Sequence, residues 1–241
     1  MTVALLGFDA DDTLWHNESV FRITEDRFAA LLADHASPET IAARLLETER
    51  RNLRRYGYGI TGFTLSMIET AMEIADGDCP PAVTRAILSF GHEMLEHPVD
   101  TLPGVEHVLK TLAPDHRLVL ITKGDLFDQE RKLAQSGLGD LFDAVEIVSE
   151  KTADIYATLF ARHGAGPADA LMTGNSLRSD VLPALEAGAW AAHVPSEITW
   201  AHEAAEAPEG HPRFAALDAL QDLPPLIRRI QDADGLGGDG I

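Results

Sequence analysis

The first fourteen residues constrain the fold of this chain more than any other stretch. Residues 2–8 form an apolar run, TVALLGF, which ends in Asp9, Asp11 and Asp12. The run is too short for an independent helix and too apolar for an exposed strand, so it predicts a buried parallel strand. Acidic side chains that directly follow such a strand lie at the edge of the sheet where open α/β sheets bind their ligands.

The spacing of these acids admits two interpretations. Asp9 and Asp11 flank one residue, so in an extended backbone both carboxylates would point to the same side. Like charges this close repel each other unless they share a cation. An Asp-rich turn, with Thr13 capping the start of a helix, is the competing interpretation.

The second half of the chain alternates between strand and helix patterns. Short aliphatic runs at residues 117–121, 144–148, 170–173 and 190–194 are separated by amphipathic stretches that end at glycines. This alternation predicts a doubly wound, Rossmann-like parallel sheet, to which the opening strand also belongs.

A block without strand character separates the opening strand from the others. Helical spacing recurs over residues 19–35, 37–56, 63–75 and 80–95. We therefore expect an all-helical domain at 16–98 inserted into an α/β core made of 1–15 and 99–230. The acidic, glycine-rich segment 231–241 is predicted to be a disordered tail.

Composition excludes several classes of partner. The chain has 39 acidic and 19 basic residues, a formal charge of −20, which argues against binding nucleic acid or an anionic membrane surface. Cys79 is the only cysteine, and no stretch reaches the length of an apolar membrane span. Without a recognisable signal peptide, we expect a cytoplasmic protein. The oligomeric state stays open.

A glycine-rich segment in the helical block, residues 57–62, matches the G-x-G-x-x-G expression. A dinucleotide site requires a preceding strand, and here a charged helix precedes it, so we expect an ordinary loop. Arg54 and Tyr58 beside or within this loop are candidate substrate contacts, although a solvated helix end explains them equally well.

Four further polar positions follow predicted strands of the core: Thr122, Lys151, Asn175 and Asp180. Each alone has an ordinary structural explanation. Together with Asp9 and Asp11 they would converge at one edge of the sheet. Carboxylates, a hydroxyl and an ammonium group form a set suited to phosphoryl transfer.

In this order, the segments Asp9-x-Asp11-x-Thr13, Thr122, Lys151 and Gly174-Asn175-Ser176-x-x-x-Asp180 resemble the four motifs of the haloacid dehalogenase-like superfamily. The helical insert resembles that superfamily's C1-type cap. The resemblance implies a Mg²⁺-dependent hydrolase in which Asp9 is the nucleophile and Asp11 the general acid and base. It also implies that Thr122 and Lys151 bind the phosphoryl oxygens, and that Asp9, Asp11, Asn175 and Asp180 hold the metal.

Within the superfamily, Asp11 favours a phosphatase over a dehalogenase, because the departure of a halide needs no proton. A small phosphorylated metabolite is therefore the expected substrate. Two positions depart from the pattern: Asp12 replaces a usual glycine, and Asn175 replaces a frequent aspartate. Lys123 is a second candidate for contact with the substrate.

Three alternatives remain beside the phosphatase. A phosphomutase on the same fold would return the phosphoryl group to its product. A phosphonatase would need a lysine in the cap, and no lysine occurs between Trp15 and Val99. A non-catalytic binding protein would not need the complete set of acid, hydroxyl and lysine.

Overall fold

The computed structural model describes residues 3–77, 79–198, 200 and 202–235. These residues form a six-stranded sheet of order β3-β2-β1-β4-β5-β6, and every neighbouring pair is parallel. The strands are β1 Leu5–Phe8, β2 Arg117–Lys123, β3 Ala144–Val148, β4 Ala170–Gly174, β5 Trp190–His193 and β6 Phe214–Ala216. The strand order reverses at β1, which is the arrangement of a doubly wound sheet. The predicted fold class is confirmed.

The helices also follow the predicted alternation. They are α1 Glu18–Leu31, α2 Pro38–Tyr56, α3 Ile60–Ile74, α4 Pro81–Glu96, α5 Val105–Leu112, α6 Leu126–Ser136, α7 Ala153–His163, α8 Leu182–Glu186 and α9 Leu223–Gly235, with a π-helical turn, Leu177–Val181, before α8. Local chemistry sets their starts: the Thr152 hydroxyl, for example, accepts a hydrogen bond from the Ile155 amide at the start of α7. No helix in the described ranges is long and apolar enough to cross a bilayer.

The chain divides into two compact units. The first contains Met1–His16, Asp100–Lys123 and Leu133–Ile241, and the second contains Asn17–Val99 and Gly124–Lys132. The second unit therefore includes a segment that the sequence analysis placed in the core. The Lys132 ammonium donates to the Asn17 side chain at 2.7 Å, which ties that segment to the start of the helical insert. Such a long-range contact leaves no pattern in the local sequence.

The core of the first unit is built from the sheet and the helices that connect its strands. Side chains from β1, β2 and β4 pack with Tyr156 and Phe160 of α7, whose rings stack 5.5 Å apart. Gly7 at the centre of β1 permits this packing, because a β-carbon there would lie 2.9 Å from the Met172 sulfur and 3.2 Å from Ile121 Cδ1. The central strand is therefore closely packed by its neighbours.

The helical unit has a separate apolar core. Its buried residues come from all four inserted helices, and those of α2 and α3 recur at helical spacing, as at Ile41 and Leu45 or Met67 and Ala71. Such a stripe buries one face of each helix. The insert therefore has the core of an independent compact body.

Two predictions of local structure were wrong in part. The loop expected at residues 57–62 ends at Gly59, because α3 begins at Ile60. Gly62 inside α3 lies so close to the backbone that a β-carbon would meet the Gly57 carbonyl oxygen at 2.8 Å. Residues 231–235, which were expected to belong to a disordered tail, instead continue α9, which ends at Gly235. Residues 236–241 lie outside the described part of the chain.

We predict that Gly7→Ala lowers the free energy of unfolding by about 1–3 kcal/mol, because the added methyl group overpacks the centre of the sheet. The measurement is urea unfolding of the purified variant. Gly139→Ala is the matched control, since the nearest atom to its β-carbon lies 3.8 Å away. Equal stability of the two variants would contradict the packing argument.

Candidate active site

Three charged side chains meet at the carboxyl edge of the sheet. Asp9 follows β1, Lys151 follows β3, and Asp180 lies in the π-helical turn after β4. The Lys151 ammonium donates to Asp9 Oδ1 at 2.5 Å and to Asp180 Oδ1 at 2.6 Å. All three residues are buried. The structure thus brings together three of the predicted site residues around one cation.

This arrangement changes the proton affinity of both partners. Burial raises the pKa of Asp9, and the charge of Asp180 adds to the rise, so that the pKa lies at about 7 despite the opposing effect of Lys151. Burial lowers the pKa of Lys151, but the carboxylates of Asp180 and Asp9 outweigh burial and raise it above its usual value. Lys151 therefore stays a cation at neutral pH.

The second carboxylate oxygen of Asp9 is held by Thr13. The Thr13 hydroxyl donates to Asp9 Oδ2 at 3.1 Å and accepts a hydrogen bond from the Asn175 backbone amide at 3.1 Å. Thr13 therefore links the loop after β1 to the loop after β4. This explains a motif residue to which the sequence alone gave no chemical role.

Asn175 lies beside Asp9 and the backbone of Asp11. Its side-chain nitrogen faces Asp11 O at 3.2 Å and Asp9 Oδ2 at 3.3 Å, an orientation assigned because an amide oxygen there would face only acceptors. The neighbouring strand β5 also contributes, because the His193 ring lies 3.0 Å from the Asn175 backbone oxygen. The amide thus donates hydrogen bonds to the Asp9 carboxylate and to the Asp11 backbone oxygen.

The same groups could hold a hard cation. If the Asn175 amide turned over, its oxygen would join the Asp9 carboxylate and the Asp11 carbonyl, a set of oxygen ligands that suits Mg²⁺. The Asp180 carboxylate is already paired with Lys151, and its Oδ2 accepts from the Ser176 amide at 2.9 Å. Within the described ranges, no cluster of three or more His, Cys, Asp or Glu side chains is arranged to bind a metal. A metal here would therefore combine the Asp9 carboxylate with carbonyl and amide oxygens.

Asp11 has a different environment from Asp9. Its carboxylate accepts a hydrogen bond from the indole nitrogen of the fully buried Trp15 at 2.7 Å. Trp15 is the fourth residue after Asp11, but nothing in the sequence pattern predicts that its indole returns to this carboxylate. The two acids of the first motif are therefore held by separate partners.

Asp12, where the resemblance led us to expect glycine, has a backbone conformation that glycine adopts readily. Asp12 has a φ of 58°, in the left-handed region, and its amide donates to the Trp15 carbonyl at 2.7 Å. Aspartate tolerates this conformation better than most other residues. The departure at Asp12 therefore leaves the turn intact.

The remaining candidates have different surroundings. Thr122 is buried at the end of β2 and donates to the Lys123 carbonyl at 3.3 Å. The Lys123 ammonium contacts Ser179 Oγ at 2.8 Å and Glu203 Oε1 at 2.7 Å. Arg54 is exposed at the end of α2 and Tyr58 is half-buried in the following loop, both within the helical unit. The roles of all four stay predictions.

Glu203 is a member of this region that the sequence analysis missed. Its carboxylate contacts Lys123, Ser176 and Ser179. Burial would raise its pKa, but the charge of Lys123 and three hydrogen bonds lower the pKa to about 2. The segment 196–211 has no periodicity, so no signal in the sequence could have predicted that one of its glutamates contacts Lys123, Ser176 and Ser179.

Comparison with known proteins agrees with this geometry. Residues 3–188 match the family model of the haloacid dehalogenase-like hydrolases. The chain belongs to this family. The resemblance of its four motifs is thereby confirmed at the level of the family, and the family indicates an enzyme that acts on a small molecule.

Solved structures of the family include one that is similar over nearly the whole chain. A haloacid dehalogenase-like hydrolase from Xanthomonas campestris is 38% identical, with a TM-score of 0.87 over 98% of this chain and 95% of that one. The search of curated proteins found no significant match.

Two more distant structures share the fold. The L-2-haloacid dehalogenase of Xanthobacter autotrophicus has 23% identity and a TM-score of 0.65, covering 95% of this chain and 99% of that one. A predicted phosphoglycolate phosphatase from Haemophilus somnus has 20% identity and a TM-score of 0.62, covering 94% and 99%. At these identities the two structures show a shared fold alone.

The low pKa of Glu203 implies that the stability of the protein depends on pH. A carboxylate whose pKa is lowered by folding stabilises the protein above its ordinary pKa, and this contribution is lost as the pH falls toward the folded-state value. We expect the stability difference between the wild type and Glu203→Gln to be on the order of 3 kcal/mol near neutral pH and to shrink between about pH 5 and pH 2. Denaturant unfolding across this range measures it, and a constant difference would contradict the ion pair.

Proposed function

We propose that this hydrolase is a Mg²⁺-dependent phosphomonoesterase that acts on a small phosphorylated metabolite through an aspartyl-phosphate on Asp9. The observation that carries the proposal is the second acid, Asp11, whose carboxylate is held by Trp15 apart from the Lys151 cluster. An alkoxide leaving group must take up a proton, which a neighbouring carboxylic acid can donate. A halide leaving group would have no use for this acid.

The chemistry follows from the roles of the two acids. An Asp9 carboxylate oxygen attacks phosphorus, the bond to the leaving oxygen breaks, and Asp11 donates its proton to that oxygen. A water molecule then gives a proton to the Asp11 carboxylate and attacks the same phosphorus. The Asp9–phosphorus bond breaks, which regenerates Asp9 and releases inorganic phosphate.

Lys151 stabilises charge during both steps. Its ammonium already contacts the nucleophile at 2.5 Å, so it lies close to the oxygens of a phosphoryl group bound to Asp9. A buried cation in a site with little water offsets negative charge more effectively than one in bulk solvent. Thr122, at the end of the adjacent strand β2, is proposed to donate to the same oxygens.

The metal would be held by Asp9, the Asp11 carbonyl and Asn175, with Asp180 as the remaining predicted ligand. When bound, Mg²⁺ would polarise the phosphoryl oxygens and offset their charge. Asp11 O and Asp9 Oδ2 lie 3.2 and 3.3 Å from the Asn175 amide nitrogen, so these groups are close enough to share a cation once the amide turns its oxygen toward them. The helical unit is proposed to act as the substrate-selecting cap, with Arg54, Tyr58 and the core residue Lys123 as candidate contacts.

We predict that Asp9→Asn lowers the turnover of an aryl phosphate by at least about 1,000-fold, because the nucleophile is lost. Asp11→Asn should lower it by about 100- to 10,000-fold through loss of proton transfer. Asp12→Asn is the matched control, because it removes a carboxylate from the same turn without touching either role. The assay is release of inorganic phosphate with and without Mg²⁺.

Full activity of the Asp9→Asn variant would reject the proposal. Transfer of the phosphoryl group to a product, without release of free phosphate, would indicate the phosphomutase instead. Asn175 favours the dehalogenase as the second candidate, because its amide nitrogen faces Asp9 and Asp11 where a phosphatase would need metal ligands. Release of chloride from 2-chloropropionate by the wild type, without release of phosphate from any ester tested, would favour that alternative.

A further prediction concerns Asn175. Asn175→Asp should destabilise the metal-free protein, because a carboxylate would replace an amide that donates to the Asp9 and Asp11 oxygens. Mg²⁺ should restore stability and bind about tenfold more tightly than in the wild type, because the variant adds a charged ligand. Thermal melting with and without Mg²⁺, together with titration calorimetry, measures both effects. Destabilisation that Mg²⁺ does not relieve would contradict this metal site.

A further inference from the structure

Glu203 belongs to the irregular segment between β5 and β6, outside the four family motifs. Only 14% of its side chain is exposed, and 11% of the Lys123 side chain to which it is paired. A carboxylate that is mostly shielded from solvent needs compensating partners, because lost hydration costs free energy. Its partners all lie at the carboxyl edge of the sheet.

The carboxylate of Glu203 clamps the turn that carries Asp180. One oxygen accepts from Lys123, and the other accepts from the hydroxyls of Ser176 and Ser179. Ser176 is the residue immediately before the π-helical turn, and its hydroxyl also accepts from the Ser179 amide at 2.9 Å. Glu203 therefore fixes the side chain that caps this turn.

From Ser176 the contacts lead directly to the candidate nucleophile. The Ser176 amide donates to Asp180 Oδ2, Asp180 Oδ1 accepts from Lys151, and Lys151 donates to Asp9. Each link is a hydrogen bond of 2.9 Å or shorter. A shift of Ser176 would thus move the acid that orients Lys151.

The surroundings leave Asp180 little freedom to adjust. A β-carbon on Gly174 would lie 2.2 Å from Asp180 Oδ2, so the carboxylate packs directly against the backbone at the end of β4. On the other side of the turn, the buried Tyr156 hydroxyl donates to the Ser179 carbonyl at 3.0 Å. The turn is therefore held by Tyr156 of α7 on one side and by Glu203 on the other.

We propose that Glu203 is a positioning residue for catalysis: through Ser176 and Ser179 it holds the Asp180 turn so that Lys151 stays aligned with Asp9. In pairing with Lys123 it also fixes that cation beside the same turn. The catalytic consequence rests on the proposed phosphatase function, whereas the clamp itself does not. Groups that orient the residues of an active site typically change activity by about 10- to 100-fold when removed.

The test compares Glu203→Ala and Glu203→Gln with the wild type. Glu206→Ala is the matched control, because Glu206 is an exposed acid of the same segment and its loss changes the net charge equally. The first readout is amide hydrogen exchange of residues 175–181 without substrate. The second is the kcat and KM for an aryl phosphate with Mg²⁺.

We expect exchange in residues 175–181 to become at least about tenfold faster in Glu203→Ala, and kcat to fall by about 10- to 100-fold while KM changes less than about threefold. Glu203→Gln retains an acceptor oxygen, so its exchange rate and its kcat should lie between those of Glu203→Ala and the wild type. It also serves as the test if the alanine variant does not fold. Glu206→Ala should match the wild type in both readouts.

Unchanged exchange in Glu203→Ala would overturn the clamp. Faster exchange with wild-type kcat would overturn the positioning role, as would a decrease in kcat matched by the Glu206→Ala control. A wild-type protein that releases no phosphate would contradict the proposed function alone, because the exchange experiment tests the clamp without substrate.

Discussion

The buried contact between Lys151 and the carboxylates of Asp9 and Asp180 organises the rest of the site. A cation without water needs opposite charges close to it, and a carboxylate held against another carboxylate needs the cation in return. The consequence is visible in Asp9, whose pKa is raised by burial and by Asp180 and only partly lowered again by Lys151. The proposed nucleophile is thereby kept close to a positive charge.

The sheet is what makes this contact possible. Asp9, Lys151 and Asp180 are separated by up to 171 positions in the chain, yet each follows a parallel strand and so lies at the same edge. The strand order reverses at β1, and the ends of β1 and β4 are linked there by the Thr13 hydroxyl and the Asn175 amide. The turn after β4 is fixed in addition by Ser176, which connects the family motifs to Glu203.

The features that sequence predicts well are those encoded locally. The aliphatic runs predicted the strands, and the glycines predicted the ends of the helices between them. The polar residues that follow the strands indicated the candidate site, because parallel strands end at one edge of the sheet. Glu203 and Trp15 could not be predicted in the same way. The contacts of Glu203 depend on how an aperiodic segment folds back, and the contact of Trp15 depends on where its indole points. The spacing of residues in the sequence encodes neither. The same reason explains why Gly124–Lys132 groups with the helical unit, although its sequence continues the alternation of the core.

The central claim is that Asp9 becomes covalently phosphorylated during turnover. The most direct measurement is to quench the enzyme in acid while it hydrolyses an aryl phosphate, and to locate the phosphoryl group by peptide mass spectrometry. The account predicts a phosphorylated peptide that contains Asp9, modified on that residue, and no such peptide from Asp9→Asn. Rapid release of phosphate with no phosphorylated peptide at any quench time, or a phosphoryl group on a different residue, would contradict it.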